Sequence, residues 1–137
     1  MIMNRYTAIL FFSLLIIVSQ SCTKSAENDI PGEWWAAEIQ IEADTTLFDQ
    51  ERISTLKKME QSVYFVFNED KTMEAITGAY TNKGTWSLDK EKNEVFVLLE
   101  GSRSNIPSLF GTYEDGKIVA PVKEGPDLTM KKTYVKR

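Results

Sequence analysis

The side chains most often used in catalysis and metal binding are scarce in this sequence. It contains no histidine and one cysteine among 137 residues, so the commonest general base and the commonest transition-metal ligand are missing. Glu33, Glu38 and Glu42 recur near the spacing of one strand face, which is typical of a solvated surface. The charged segment 89–92 lacks the ligand spacing and the glycine of a calcium loop. We therefore expect no enzymatic activity, no catalytic residue, no metal site and no cofactor.

The cysteine stands at the end of an N-terminal secretory signal. Arg5 precedes an apolar run over residues 8–18, which is too short to cross a bilayer comfortably, and small residues follow it up to Cys22. A thiolate is a good nucleophile near neutral pH. The junction Ser21-Cys22 resembles the cleavage site of bacterial lipoprotein precursors. That resemblance implies removal of residues 1–21 and a lipid on the Cys22 sulfur.

The same resemblance implies a place for the mature protein. Thr23 after the cysteine implies the outer membrane, on its periplasmic or its surface face, with the membrane as a partner through the lipid anchor. The alternative is an ordinary secretory signal with Cys22 as a free thiol, which would be unusual in an exported protein with no second cysteine. Residues 22–30 are polar and carry no periodic apolar pattern, which predicts a flexible, lipidated tether.

Length and charge favour one exported domain. Removing 21 residues from 137 leaves 116, which is enough for one core and too few for two domains. The mature chain would carry 20 acidic and 15 basic side chains, because only Arg5 is lost with the signal. That acidic balance argues against nucleic acid as a partner. No disulfide is available, so the domain over residues 31–137 must be held together by packing.

From Pro31 onward, short apolar runs alternate with turn residues at steps typical of an antiparallel meander of hairpins. Asp115-Gly116 is the sharpest turn signal, because a type I′ turn needs positive φ at both central residues. We predict an all-β, eight-stranded antiparallel up-and-down barrel. Its interior is either filled by side chains or open to one small ligand. The predicted strands are Glu33–Ile41, Ser62–Phe67, Thr72–Gly78, Gly84–Leu88, Glu94–Leu99, Leu109–Tyr113, Lys117–Val122 and Leu128–Val135.

One segment between the first and second strands breaks this pattern. Residues 48–61 contain good helix formers, with Ile53, Leu56 and Met59 on one face. Thr46 is a suitable N-cap residue for this segment. We predict a short amphipathic helix whose narrow apolar stripe lies against the open end of the barrel.

Several short motifs follow one another in a fixed order along these elements. They are Gly32-Glu33-Trp34, the helix after it, the run 65–72, the run 84–88 and the closing run 128–132. Together they resemble the small lipocalin-like lipoproteins of Gram-negative bacteria over nearly all of residues 31–137. The resemblance implies a calycin-type barrel whose closed end is plugged by Trp34. It also implies a basic side chain of the last strand stacked on Trp34, for which Lys132, Lys136 and Arg137 compete.

Alternation in the first strand conflicts with an inward Trp34. Trp35, Ala37 and Ile39 share one apolar face, which leaves Trp34 on the opposite side. A β-bulge shifts the register by one residue. We therefore predict a bulge around Ala36-Ala37 that places both Trp34 and Ile39 inside the barrel.

Two functions suit such a barrel. In the first, it is a cup for a small apolar or amphipathic ligand, lined by Trp34, Phe65, Phe67, Trp86 and Tyr113. In the second, side chains fill the barrel and an outer surface docks onto another envelope protein, with the strand 95–99 and the loop 101–107 as candidate surfaces. An enclosed apolar cavity favours the cup. A packed interior with an exposed apolar patch favours docking.

Overall fold

The computed structural model describes residues 25–137. The predicted signal peptide over residues 1–21 and the predicted lipid attachment at Cys22 lie outside this part of the chain. Within it, no helix is long and apolar enough to cross a membrane. Its elements in chain order are α1 (Ala26–Asp29), β1 (Gly32–Ala43), α2 (Gln50–Gln61), β2 (Val63–Phe67), β3 (Thr72–Thr77), β4 (Tyr80–Asp89), β5 (Glu94–Leu99), β6 (Ser108–Glu114), β7 (Lys117–Val119), β8 (Lys123–Glu124) and β9 (Leu128–Lys136).

The sheet closes on itself. Each strand from β1 to β7 pairs antiparallel with the next, β7 pairs with β9, and β9 pairs with β1. Eight strands therefore form a closed antiparallel barrel, which confirms the predicted fold class. β8 is an additional two-residue strand that pairs with β9. The predicted strand Lys117–Val122 is shorter in the structure and ends at Val119, two residues before Pro121, which has no N–H for a strand ladder.

The predicted bulge in β1 is present. Ala36 lies opposite Tyr134 of β9 and Glu38 lies opposite Thr133, so Ala37 has no partner in this ladder. Ala37 is exposed. The extra residue reverses the alternation of side chains along β1, because alternation has a period of two. As predicted, Trp34 and Ile39 are both buried in the barrel.

A second bulge interrupts the pairing of β5 with β6. Leu109 and Gly111 lie opposite consecutive residues of β5, so Phe110 between them has no partner in this ladder. Its ring packs against the buried core. Gly111 must lack a side chain, because a Cβ atom there would lie 2.6 Å from a methyl carbon of Ile118. The close approach of β6 to β7 at this point therefore requires a glycine.

Helix α2 lies where the sequence predicts it, but a different residue caps it. The Asp49 carboxylate accepts a hydrogen bond from the Arg52 backbone N–H at 2.8 Å. The prediction of Thr46 as N-cap was wrong, because its hydroxyl donates to the Asp44 carboxylate at 2.6 Å in the turn that leaves β1. The helix contacts β1 and β2, with Leu56 packed against the core.

The two ends of the barrel differ in what covers them. At one end, here called the α1 end, lie α1, the start of β1, the end of β9 and the β2–β3, β4–β5 and β6–β7 turns. At the opposite α2 end lie α2, the β3–β4 turn, the β5–β6 loop and the connection from β7 to β9. This division follows from the antiparallel pairing of neighbouring strands.

Candidate functional site

Aromatic rings fill the middle of the barrel. Phe65 lies 4.7 Å from Phe110 and 5.5 Å from Tyr134, measured between ring centroids. Phe67 lies 5.3 Å from Phe110 and 5.8 Å from Trp86. These separations are typical of aromatic pairs in packed cores. Three of the residues predicted to line a ligand cavity thus belong to one packed cluster, together with two rings that the sequence analysis did not assign to the site.

Of the rings in this cluster, only Trp86 lines one of the five cavities described for residues 25–137, the surface cleft beside Lys71. Five cavities have volumes of about 90 to 710 Å³, and Trp34, Phe65 and Phe67 line none of them. Phe67 is only 1 % exposed. The rings therefore occupy space that a cup-shaped barrel would leave for a ligand, as expected for interiors packed to the density of organic crystals.

Trp34 and Tyr113 form a separate group at the α1 end. Trp34 is buried, and its indole N–H donates to the Ile30 carbonyl at 2.7 Å. The rings of Trp34 and Tyr113 meet edge to face, with centroids 6.3 Å apart. The Tyr113 hydroxyl donates to the Asp29 carboxylate at 3.2 Å. Burial and, after it, the charge of Asp29 raise the pKa of Tyr113. Both side chains thus bind the chain's own N-terminal segment.

The resemblance implied a basic side chain stacked on Trp34, but where β1 pairs with β9 the stacked cation lies on Trp35. The Arg137 guanidinium lies 4.7 Å from the ring centroid of Trp35. Trp35 in turn stacks on Tyr64, with centroids 4.3 Å apart. Trp35 has the opposite side-chain direction to its neighbour Trp34, because adjacent strand residues point to opposite faces. This cation, which directly follows β9, therefore lies on the outer face of the barrel.

Residues 25–30 differ from the flexible tether that their polarity suggested. Four of them form α1, and Ile30 is 0 % exposed. The Glu27 carboxylate pairs with the amines of Lys71 and Lys90, each at 2.6 Å. The hydrogen bonds from Lys71 and then from Lys90 lower the pKa of Glu27 from 4.5 to about 2. This part of the predicted tether belongs to the barrel and closes its α1 end.

Two surface clefts flank α1. The larger, of about 710 Å³, includes Ser25, Tyr113 and the β6–β7 turn in its lining. The smaller, of about 420 Å³, lies between Glu27, Lys71 and Trp86. In the smaller cleft the Lys71 amine lies 3.9 Å from the Trp86 ring centroid. Over residues 25–137, no cluster of three or more His, Cys, Asp or Glu side chains is placed to hold a metal ion.

The charged side chain of Lys132 lies on the inner face of β9, in the middle of the strand. Lys132 alternates with the buried Met130 and Tyr134, and its amine pairs with the Glu60 carboxylate of α2 at 2.8 Å. Burial acts to lower the pKa of Lys132, but the hydrogen bond to Glu60 and the charge interactions with Tyr134 and Glu60 outweigh it, so the pKa is raised. The pair connects α2 to β9. Sequence reasoning missed it, because Glu60 looks like one more solvated helix charge.

Exposed large apolar side chains gather in the α2 half of the barrel. Tyr80 is 78 % exposed, Ile106 77 % and Met59 62 %. Every large apolar side chain that is exposed among residues 25–137 lies in this half. We call this set the apolar rim: Leu47, Met59, Tyr80, Ile106, Leu109 and Val122.

The rim includes only one of the two surfaces predicted for docking. The loop 101–107 contributes Ile106. The strand 95–99 contributes no exposed side chain, because Val95 is fully buried and the other four residues are half-buried. Its second apolar face is therefore partly covered, and the strand is not an open patch.

The barrel is shared with a protein of known structure. The chain resembles the crystal structure of a DUF4847 family protein from Bacteroides vulgatus with a TM-score of 0.51 and 14% sequence identity, over 81% of this chain and 96% of that one. A scan against protein families found no match, and a comparison with curated protein sequences found none either. At this identity, the likeness shows that this chain and the Bacteroides protein have the same barrel fold.

Proposed function

We propose that this chain is a non-enzymatic interaction module of the bacterial cell envelope, anchored by a lipid on Cys22. Its filled barrel docks onto another envelope protein through the apolar rim. The packed aromatic interior is the observation that carries this proposal. A pocket for a small organic ligand usually occupies about 300 to 1,000 Å³ of largely apolar space, and the rings of Phe65, Phe67 and Phe110 fill the corresponding place here.

The distribution of exposed apolar side chains supports docking. Single exposed apolar residues are normal on any protein surface, whereas a grouped set marks an interaction site. Here all six members of the rim lie in the α2 half, and none lies at the α1 end among the described residues. Tyr80 and Ile106 are the best anchors, because they are the most exposed and aromatic or bulky side chains dominate interface energetics. The partner surface should offer apolar pockets for them.

Site-specific photo-crosslinking in the native envelope tests this docking. A photoreactive amino acid at position 105, beside Ile106, should capture one defined partner protein. The same probe at Glu91, in the β4–β5 turn of the α1 end, is the matched control and should capture none. Ile106→Asp and Tyr80→Ser should each reduce the captured yield, because loss of an interface anchor costs about 2 kcal/mol or more, roughly 30-fold in Kd.

The same variants distinguish docking from misfolding. Both positions are exposed, so we expect each substitution to change the free energy of unfolding by less than about 0.5 kcal/mol. Equal capture at positions 105 and 91, or capture unaffected by both variants, would contradict the docking surface. Crosslinks to lipid alone from position 105 would instead assign the rim to a membrane.

Mass spectrometry tests the remaining parts of the proposal. The membrane-extracted protein should begin at Cys22 and carry the added mass of acyl chains, which Cys22→Ser should abolish. Native spectra of the same protein should show no bound small molecule. A bound mass that is lost on denaturation would contradict the filled barrel and show that it binds a small ligand.

A further inference from the structure

We infer that residues 25–30 are a rigid mount, which stands the barrel on the lipid surface by its α1 end and turns the apolar rim away from the bilayer. This inference rests on the proposed lipid anchor at Cys22. It adds to the proposed function an orientation and a second surface, the α1 end, whose partner is the layer of lipid headgroups.

The mount is held by contacts to three separate parts of the barrel. Glu27 pairs with Lys71 of the β2–β3 turn and with Lys90 of the β4–β5 turn. The Asp29 carbonyl accepts a hydrogen bond from the amine of Lys136 in β9 at 2.9 Å. Three points that are far apart in the sequence fix the position of a body, whereas one point would leave it free to swing.

Burial adds to these polar contacts. Ile30 is 0 % exposed and belongs to the core cluster that contains Trp34. Its carbonyl accepts the Trp34 indole N–H in a buried hydrogen bond. Pulling this segment off the barrel would expose the isoleucine and leave the indole N–H without its partner, both of which are unfavourable. The segment therefore does not behave as a linker.

Chain length sets the distance between the mount and the anchor. Only two residues separate Cys22 from Ser25, and three steps of extended chain span at most about 10 Å. The ten residues of β4 make a barrel about 25 Å tall, at roughly 3.3 Å per residue and a strand tilt of about 40°. The α1 end must therefore lie at the membrane surface, and the rim about 25 Å farther out.

The α1 end suits contact with headgroups better than insertion into the bilayer. Among the described residues, this end carries none of the exposed large apolar side chains. Its turns contain charges of both signs, including Glu69 and Asp70 beside Lys71, and Glu91 between Lys90 and Lys92. Charged side chains of both signs favour the hydrated interface over the acyl interior.

Distances from the bilayer test the mount in the lipidated protein. Because Cys22 is modified, a cysteine introduced at Glu91 or at Asn105 is the only free thiol for a fluorescent donor. With acceptor lipids in phosphatidylcholine vesicles, we expect position 91 to lie close to the headgroups and position 105 about 25 Å farther away. Equal distances at the two positions would overturn the inference.

Charge substitutions test whether the contacts of Glu27 hold the barrel upright. The double variant Lys71→Gln, Lys90→Gln should broaden the distance distribution of position 105 and shorten its mean. The matched control, Lys83→Gln with Lys123→Gln, removes two exposed charges elsewhere and should leave the distribution unchanged. Identical distributions in the two variants would show that the ion pairs of Glu27 with Lys71 and Lys90 do not orient the barrel.

Failure of the mount and failure of the docking proposal give different results. Loss of specific crosslinks at the rim with unchanged distances would refute docking alone. Retained crosslinks with equal distances at positions 91 and 105 would refute the mount alone. Absence of acyl mass on Cys22 would refute the anchor, on which both distances depend.

Discussion

Replacing Phe67 with alanine distinguishes a filled barrel from a cup. The ring is 1 % exposed and meets Phe110 and Trp86 edge to face. Removing it from the core forfeits about 1.5 to 3 kcal/mol of transfer free energy and two aromatic contacts of about 0.5 to 1.5 kcal/mol each. We therefore expect Phe67→Ala to lower the free energy of unfolding by about 4 kcal/mol, within the range usual for buried phenylalanines.

Urea unfolding followed by tryptophan fluorescence measures this loss. A soluble form, Cys22→Ser from residue 22 onward, avoids the complication of the lipid. Phe67→Leu is the graded variant and should cost less than about 1.5 kcal/mol, because it keeps most of the volume. Tyr80→Ala, at an exposed position, is the control and should change stability by less than about 0.5 kcal/mol.

A small effect of Phe67→Ala would refute the reasoning. If the free energy of unfolding fell by less than about 1 kcal/mol with an unchanged denaturant slope, the Phe67 ring would border an open cavity instead of filling the interior. The barrel would then have room for a ligand. In that case a small apolar probe should also bind the wild-type chain without any engineered cavity.

Three further results are expected. Trp34→Phe should cost about 1 to 3 kcal/mol in urea unfolding, because it leaves the buried Ile30 carbonyl without its donor, and an unchanged midpoint would contradict that hydrogen bond. Gly111→Ala should cost about 1 to 3 kcal/mol by overpacking against Ile118, and thermal unfolding would show it as a lower midpoint. The depressed pKa of Glu27 means that its two ion pairs stabilise the fold above pH 4.5 and that this contribution is lost as the pH falls towards about 2. Glu27→Gln should therefore make the free energy of unfolding depend less steeply on pH in this range. The same pH dependence in the wild type and the variant would contradict this.

The parts of the fold that follow from local rules could be predicted from the sequence. Alternation and turn residues identify the hairpins, and Asp115-Gly116 has positive φ at both positions, 48° and 78°, as expected. The bulge in β1 could also be predicted, because an inward Trp34 and an inward Ile39 require one extra residue between them. Both features depend on residues close together in the chain.

Features that depend on distant partners could not be predicted in the same way. Residues 25–30 look like a tether because polar groups of Glu27 and Asp29 find partners in the barrel that are 44 to 107 positions away in the chain. Phe110 joins the core because a bulge interrupts its strand pairing, and strict alternation gives no sign of it. The ring network, and with it the choice between cup and filled barrel, depends on such contacts.

The bulge in β1 and the mount at the α1 end are physically linked through Trp34. The bulge sets the direction of this side chain relative to the inward Ile39, and only an inward indole can donate to the Ile30 carbonyl. In a strand of unbroken alternation, Trp34 and Ile39 would point to opposite faces, and the N-terminal segment would lose its buried hydrogen bond. One unpaired alanine in the middle of β1 thus determines whether the segment next to the anchor can lie against the barrel.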